Sequence, residues 1–355
     1  MNGKRAYQLR LDSQLDNQGE LSPVKRPIQY KRPNGTEGDV VVITGASSGI
    51  GRDTALAFAR QGARLALASR SAENLQPVLE ECIRLGAQAI ARATDVRDEQ
   101  QVAALMAAAA GTFGHIDICV INASVYSYGT FEATPSEVFR SIIETNLLGA
   151  ANTARQALPH LRRQGSGTLI FIGSVYSRIT SPYVSPYVAS KFGLYGMVRV
   201  LRQELRRDRG IRICLVLPAT IDTPIYQHAA NYTGRNVHPL PPVVHPDRVV
   251  DAIIANARNP RATTVVGVVQ RTFIPFHALL PGLYDRLVGP LMRIAAIRRG
   301  RAAPTTGTVL SPAPHAGPVT GGWGKLGRPD QSPPPDLDDQ PNPGPGNQQD
   351  QESTG

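Results

Sequence analysis

VVVITGASSGIG, residues 40–51, runs from a block of β-branched residues into a turn with glycines at 45, 49 and 51, and on into a helix-period segment. Such a stretch predicts a strand, a tight turn and a helix amino terminus in immediate succession. Glycine lets the backbone turn sharply and approach a ligand closely. The helix end offers unpaired N–H groups and the positive end of a dipole to a pyrophosphate. A plain βα turn would use the same residues, so the rest of the chain decides.

Working outward, short apolar runs alternate with longer segments of helical period. The runs that predict strands are Val40–Thr44, Arg64–Ala68, Ala87–Ala93, Ile116–Ile121, Gly167–Ile172, Ile211–Leu217 and Thr263–Val268. Between them the spacing predicts helices over Gly49–Gln61, Ala72–Leu85, Glu99–Phe113, Ser136–Arg163, Pro186–Asp208 and Pro246–Arg258. Parallel strands need crossovers, and those crossovers are right-handed. The expected fold class is therefore α/β: a doubly wound parallel seven-stranded sheet, the Rossmann fold, with helices on both faces.

Composition limits the alternatives. The chain has 355 residues, of which 41% are hydrophobic, enough for one large core. Residues 1–37 read as a polar flexible arm and 38–270 as the folded domain that carries the Rossmann sheet. Residues 271–300 form an apolar and basic extension, and 301–355 a disordered tail rich in Pro, Gly and Gln. Cys82, Cys119 and Cys214 stand alone, which argues against a disulfide framework or a metal site. No apolar run is long enough to span a bilayer and the amino terminus carries no apolar signal core, so a cytoplasmic location is expected. The net charge is +10, but the arginines are scattered and aromatics make up only 6%. That footprint argues against nucleic acid. The segment RTFIPFHALLPGLYDRLVGPLMRIAAIRRGR, residues 271–301, could instead lie on an anionic membrane surface or cap a pocket.

The TGxxxGxG spacing of Thr44–Gly51, together with YVASK at 187–191, resembles the short-chain dehydrogenase/reductase family over about residues 39–270. The resemblance implies an NAD(P)-dependent oxidoreductase that interconverts an alcohol and a ketone or aldehyde. It places the dinucleotide at Gly45, Ser47, Ser48, Gly49, Ile50 and Gly51 in the turn, at Asp95 and Val96 beside the adenine, and at Asn122 and Ala123 after the fourth strand. Pro218 and Thr223 follow the sixth strand, and Tyr187 and Lys191 complete the set. At the end of the second strand Ser69 stands where NAD-preferring relatives carry an acid, and Arg70 follows it. A guanidinium pairs with a 2′-phosphate that a carboxylate would repel, so NADP is expected ahead of NAD. Two departures stand out: Ser124 replaces a usual glycine after Asn122-Ala123, and Ala219 replaces one after Pro218. A non-catalytic dinucleotide-binding sensor or scaffold is the alternative that these departures leave open.

The family's catalytic set matches Asn146, Ser174, Tyr187 and Lys191. Reducing a carbonyl places negative charge on its oxygen, which a nearby proton donor must meet. A free tyrosine titrates at about 10, and an ammonium beside it would lower that value. In SPYVSPYVASKFG, residues 181–193, only Tyr187 has a lysine four residues on, and so on its own helix face. Ser185 and Pro186 read as the helix cap and first turn, which leaves Tyr183 in the loop as a substrate-pocket residue beside Ser174 and Tyr187. The segment 224–244 reads as a substrate lid, with Tyr226, His228, Tyr232 and His238 as candidate lining residues. The family resemblance also implies a homodimer or homotetramer, paired through the helices at 136–163 and 186–208.

Overall fold

The computed structural model describes residues 38–325. The arm at 1–37 and the end of the tail, 326–355, lie outside the described residues. In chain order the first half comprises β1 (Val40–Thr44), α1 (Gly49–Ala59), β2 (Arg64–Ser69), α2 (Ala72–Arg84), β3 (Gln88–Ala93), α3 (Glu99–Phe113) and β4 (Ile118–Ile121). It continues with the short β5 (Ser127–Tyr128), α4 (Ser136–Ile143), α5 (Gly149–Gln164), β6 (Gly167–Ile172), α6 (Ser185–Glu204) and β7 (Ile211–Pro218). Then come β8 (Ala230–Asn231), β9 (Arg235–Val237), α7 (Asp247–Arg258), β10 (Thr263–Val266), α8 (Val268–Leu279), α9 (Pro281–Ala295) and β11 (Ile297–Arg301).

Seven strands form one parallel sheet in the order β10-β7-β6-β4-β1-β2-β3. The chain winds outward from β1 to β3, returns to β4 on the other side of β1, and winds outward again. The carboxyl ends of β1 and β4 therefore flank the switch point at which such sheets bind ligands. All five residues of β1 are buried because helices cover both faces. Val41, Ile43, Leu65 and Leu67 pack on one face with Phe58 of α1. Val42, Ala66, Cys119 and Phe171 pack on the other with Met106 of α3.

Three expectations are corrected. The helix expected over 136–163 is broken: residues Glu144–Leu148 form a π-helical turn between α4 and α5. A π turn inserts one extra residue into the helix and so rotates α5 relative to α4. Helix α6 begins at Ser185 rather than after it, and Ser185 makes no capping bond; the residue before it, Val184, stands at the cap position. The tail expected to be disordered from 301 is ordered through 325. The reason is hydrogen bonding, since its carbonyls meet partly buried donors along the rim of the sheet's ligand crevice.

Candidate active site

One cavity of about 570 Å³ lies at the carboxyl ends of β1, β4, β6 and β7. The glycine-rich turn forms one end. Gly45 and Gly49 have φ of +70° and +52°, and a Cβ on Gly45 would sit 2.8 Å from the Ala123 Cα. Gly51 does not face the cavity; a Cβ there would lie 2.0 Å from the Gly45 carbonyl oxygen, so its absence lets α1 close on β1. Asn122 holds the turn from β4, its Nδ2 donating to the carbonyls of Thr44 at 3.0 Å and Gly45 at 3.1 Å. The cradle thus has the backbone openness that a dinucleotide pyrophosphate requires.

The remaining dinucleotide candidates, Ser47, Ser48, Ile50, Ser69, Arg70, Asp95, Val96, Ala123, Pro218 and Thr223, all line this cavity. The charged pair among them, Asp95 and Arg70, is already engaged. Asp95 receives Arg97 Nη2 at 2.6 Å, and this bond helps hold its carboxyl below the usual range against the opposing effect of burial. Arg70 donates through Nη2 to the carbonyls of Thr308 at 2.6 Å and Ser311 at 3.1 Å, and through Nη1 to Val309 at 3.3 Å. Among the described residues only Tyr183 combines a side chain with positive φ, so neither Ser124 nor Ala219 is strained where relatives carry glycine.

Ser174, Tyr187 and Lys191 meet at the cavity floor. Ser174 ends the β6 loop and caps a single 3₁₀ turn, its Oγ accepting from the Tyr176 N–H at 3.2 Å. Lys191 is buried and its Nζ donates to the Ile172 carbonyl at 3.0 Å. Burial lowers the Lys191 ammonium to about 7 and raises the Tyr187 hydroxyl well above its ordinary value, with the Ser174 hydrogen bond opposing that rise. Burial is the largest influence on both groups. Both side chains lose hydration of their charged forms in the closed site.

Asn146 and Tyr183 do not face the cavity. Asn146 sits in the π turn, its Oδ1 accepting from the Val125 N–H at 2.8 Å and its Nδ2 donating to the Val125 carbonyl at 3.0 Å and to Ser190 Oγ at 3.2 Å. It fixes the loop after β4 against α6 from behind the site. Tyr183 is corrected as a substrate-pocket residue: its hydroxyl accepts from Arg293 Nε at 2.6 Å, outside the cavity. Of the lid candidates Tyr226 and His228 reach the cavity, whereas Tyr232 and His238 do not.

Sequence reasoning missed Tyr126, which lies against Tyr187 with ring centres 4.4 Å apart. The segment expected to lie on a membrane surface or cap a pocket contributes an apolar wall of Phe273, Phe276, Leu287 and Leu291 from α8 and α9, residues that the sequence did not single out. The apolar character of 271–300 was the available signal. No spacing rule says that the segment folds back onto the site. Among the described residues no group of three or more His, Cys, Asp or Glu side chains could hold a metal ion, and no helix is long and apolar enough to cross a membrane.

A doubly wound sheet, a glycine cradle at its switch point and a Ser-Tyr-Lys floor define a nucleotide-dependent oxidoreductase class. Residues 39–232 match the family model described as short chain dehydrogenase, and the chain belongs to that family. It is similar to the uncharacterized oxidoreductase YxnA of Bacillus subtilis, 32% identical over 282 residues that cover 79% of this chain and 78% of that one. It is also similar to the 3-oxoacyl-[acyl-carrier-protein] reductase FabG of Thermotoga maritima, 31% identical over 61% of this chain and 89% of that one. Among solved structures, an alcohol dehydrogenase from the archaeon Thermococcus sibiricus complexed with 5-hydroxy-NADP superimposes with a TM-score of 0.58. That match has 28% identity and covers 66% of this chain and 98% of the other. The protein is accordingly an NAD(P)-dependent short-chain dehydrogenase/reductase.

Proposed function

We propose that the enzyme interconverts an apolar alcohol and its ketone or aldehyde, with NADP preferred over NAD. The observation that carries this reading is the meeting of Ser174, Tyr187 and Lys191 on the floor of a cavity that has the glycine cradle at one end and the α8–α9 apolar wall at the other. The dinucleotide would supply or accept the hydride, held at Gly45–Ile50, Asn122, Lys191 and Thr223. Tyr187 Oη would donate its proton to the carbonyl oxygen in reduction and take it back in oxidation. Ser174 Oγ would orient the same oxygen, and Lys191 Nζ would stabilise negative charge as it forms on Tyr187. Asn146 would act through position, keeping the Val125 loop and α6 in register.

Preference for NADP is supported by Ser69, which presents no carboxylate, and by Arg70 on the cavity wall. The present acceptors of Arg70 are neutral backbone carbonyls, whereas a 2′-phosphate would form charge-assisted, bidentate bonds. A panel of carbonyls and alcohols of graded apolar size, assayed with all four dinucleotide forms, tests the reading. Turnover with NADPH that exceeds turnover with NADH, and loses that preference in Arg70→Ala, is expected. Tight NADPH binding with no turnover across the panel would favour the non-catalytic alternative.

Subunit pairing through α4, α5 and α6 is supported by apolar side chains exposed along that stretch: Leu148, Phe192 and Val200. Multi-angle light scattering should read a dimer or tetramer, and Val200→Glu should lower the mass. Contact with an anionic membrane surface is supported by α9, which exposes Leu283, Leu287, Leu291 and Ile294 beside Arg286 and Arg293. Flotation with anionic vesicles, lost in Leu283→Glu, tests it.

A further inference from the structure

Residues 302–325 pass along the cleft from one end to the other. At the Arg70 end the guanidinium holds the carbonyls of Thr308, Val309 and Ser311, and Asn74 Nδ2 donates to the Ala313 carbonyl at 2.7 Å. At the glycine cradle Arg52 Nη1 donates to the Gly317 carbonyl at 3.0 Å and the Gly49 N–H to the Pro318 carbonyl at 3.0 Å. At the Thr223 end Asp222 accepts from the backbone N–H groups of Gly321, Trp323 and Gly324 at 2.8–3.1 Å. There Trp323 Nε1 also donates to the Thr223 carbonyl at 3.2 Å, and its ring packs edge-on to Tyr226.

This segment does not fill the cleft. The cavity of about 570 Å³ persists beneath it, bounded on the floor by Gly45, Val96 and Lys191 and on the opposite side by Thr308, Pro312 and Gly317. Its attachment points are at the rim, and its small residues Gly317 and Gly321 let it pass within contact of Ser48 and Thr223.

We infer that residues 302–325 are a roof of the dinucleotide site, an element of cofactor binding that must lift before the cofactor enters or leaves. The inference rests on the reading of this cleft as the dinucleotide site. The cavity persists beneath the segment, so a dinucleotide would take over the Arg70 and Gly49 donors while the bonds at Asn74, Arg52 and Asp222 keep the roof over it; roof closure and cofactor binding then stabilise each other, and by linkage the coupling is reciprocal. Its opening would limit cofactor exchange in the way that lids limit product release in other enzymes.

Two full-length variants loosen the roof at opposite ends without touching the floor. Trp323→Ala removes the ring at the Thr223 end. Gly307→Val places a side chain where a Cβ would lie 2.2 Å from the His228 carbonyl oxygen, at a φ of +50°. Stopped-flow chase of bound NADPH, with NADH in parallel, should show release at least about tenfold faster in both variants, and a correspondingly weaker Kd. In the unaltered protein, saturating NADPH should slow chymotrypsin cleavage after the exposed Leu310. Unaltered release rates overturn the roof while leaving the functional reading in place. Tighter binding in the variants, or NADPH that speeds cleavage, also overturns it, because the segment then competes with the cofactor. Failure of the unaltered protein to bind either dinucleotide overturns the roof together with the functional reading.

Discussion

Lys191 Nζ lies 5.4 Å from the centre of the Tyr187 ring, both side chains facing the cavity from one side of α6. The four-residue spacing produces this geometry on any helix. What the spacing does not produce is the burial, which holds the lysine near neutrality. Tyr187→Phe should lower turnover by roughly 10²–10⁴-fold, the range for loss of a general acid, while dinucleotide affinity measured by fluorescence stays near the unaltered value. Tyr183→Phe should keep turnover within about twofold of the unaltered enzyme, consistent with a hydroxyl that meets Arg293 outside the cavity. The opposite outcome would reassign the proton donor.

The buried lysine also makes stability depend on pH. Its folded pKa of about 7 lies below the ordinary lysine value of 10.5, so between these values the unfolded chain holds more protons at this site than the folded one. Stability contributed by this group therefore rises with pH over about 7 to 10.5 and is at its lowest below 7. Urea midpoints of the ligand-free protein at about pH 7 and about pH 9 should show a rise that Lys191→Met flattens. Equal slopes in the two proteins would mean that the ammonium is paired or hydrated.

Asn146 matters through Val125. In Asn146→Ala the buried N–H and carbonyl of Val125 lose their side-chain partners, a loss expected to cost about 1–3 kcal/mol in denaturant unfolding. Asn146→Asp keeps the accepted bond but sets a buried carboxylate oxygen against the Val125 carbonyl, and should destabilise at least as much as the alanine variant. If kcat falls in proportion to the stability loss across both variants while KM is unchanged, the positioning role stands.

Two glycines make a matched test of the cradle. Gly51→Ala should destabilise the protein by about 2–3 kcal/mol and weaken dinucleotide binding, since its Cβ would meet the Gly45 carbonyl at 2.0 Å. Gly111→Ala, on α3 with no atom within 4 Å of the added methyl, should stabilise by roughly 0.5–1 kcal/mol through helix propensity alone. Thermal melts of the pair, with and without NADPH, read both effects.

The central sheet was legible because a strand covered on both faces must be a short apolar run and its crossover helix must show a 3.6 period. β1 and β6 have the expected ends, and the other core strands differ by at most two residues at either end. The meeting of Ser174, Tyr187 and Lys191 was legible for a similar reason: Tyr187 and Lys191 share a helix turn, and Ser174 follows the strand that delivers it to the cleft. Asn146 was identified as a residue, but its partner was not, because the π turn that aims it at Val125 depends on packing between α4, α5 and α6. Tyr183 was misplaced because its direction is set by a positive φ and by Arg293, which lies 110 residues away.

By itself the sequence determined the order of elements, the glycine-rich turn and the pairing of Tyr187 with Lys191 on one helix face, because each rests on local periodicity or on spacing within one turn. Tertiary structure alone decided which donors along the rim stay open. A tail rich in proline and glycine has too little apolar surface to predict its own folding. It becomes ordered here through residue 325 because its backbone carbonyls satisfy Arg70, Asn74, Arg52 and the amino end of α1. Those partners lie more than 200 residues away in the chain, beyond the reach of any local pattern.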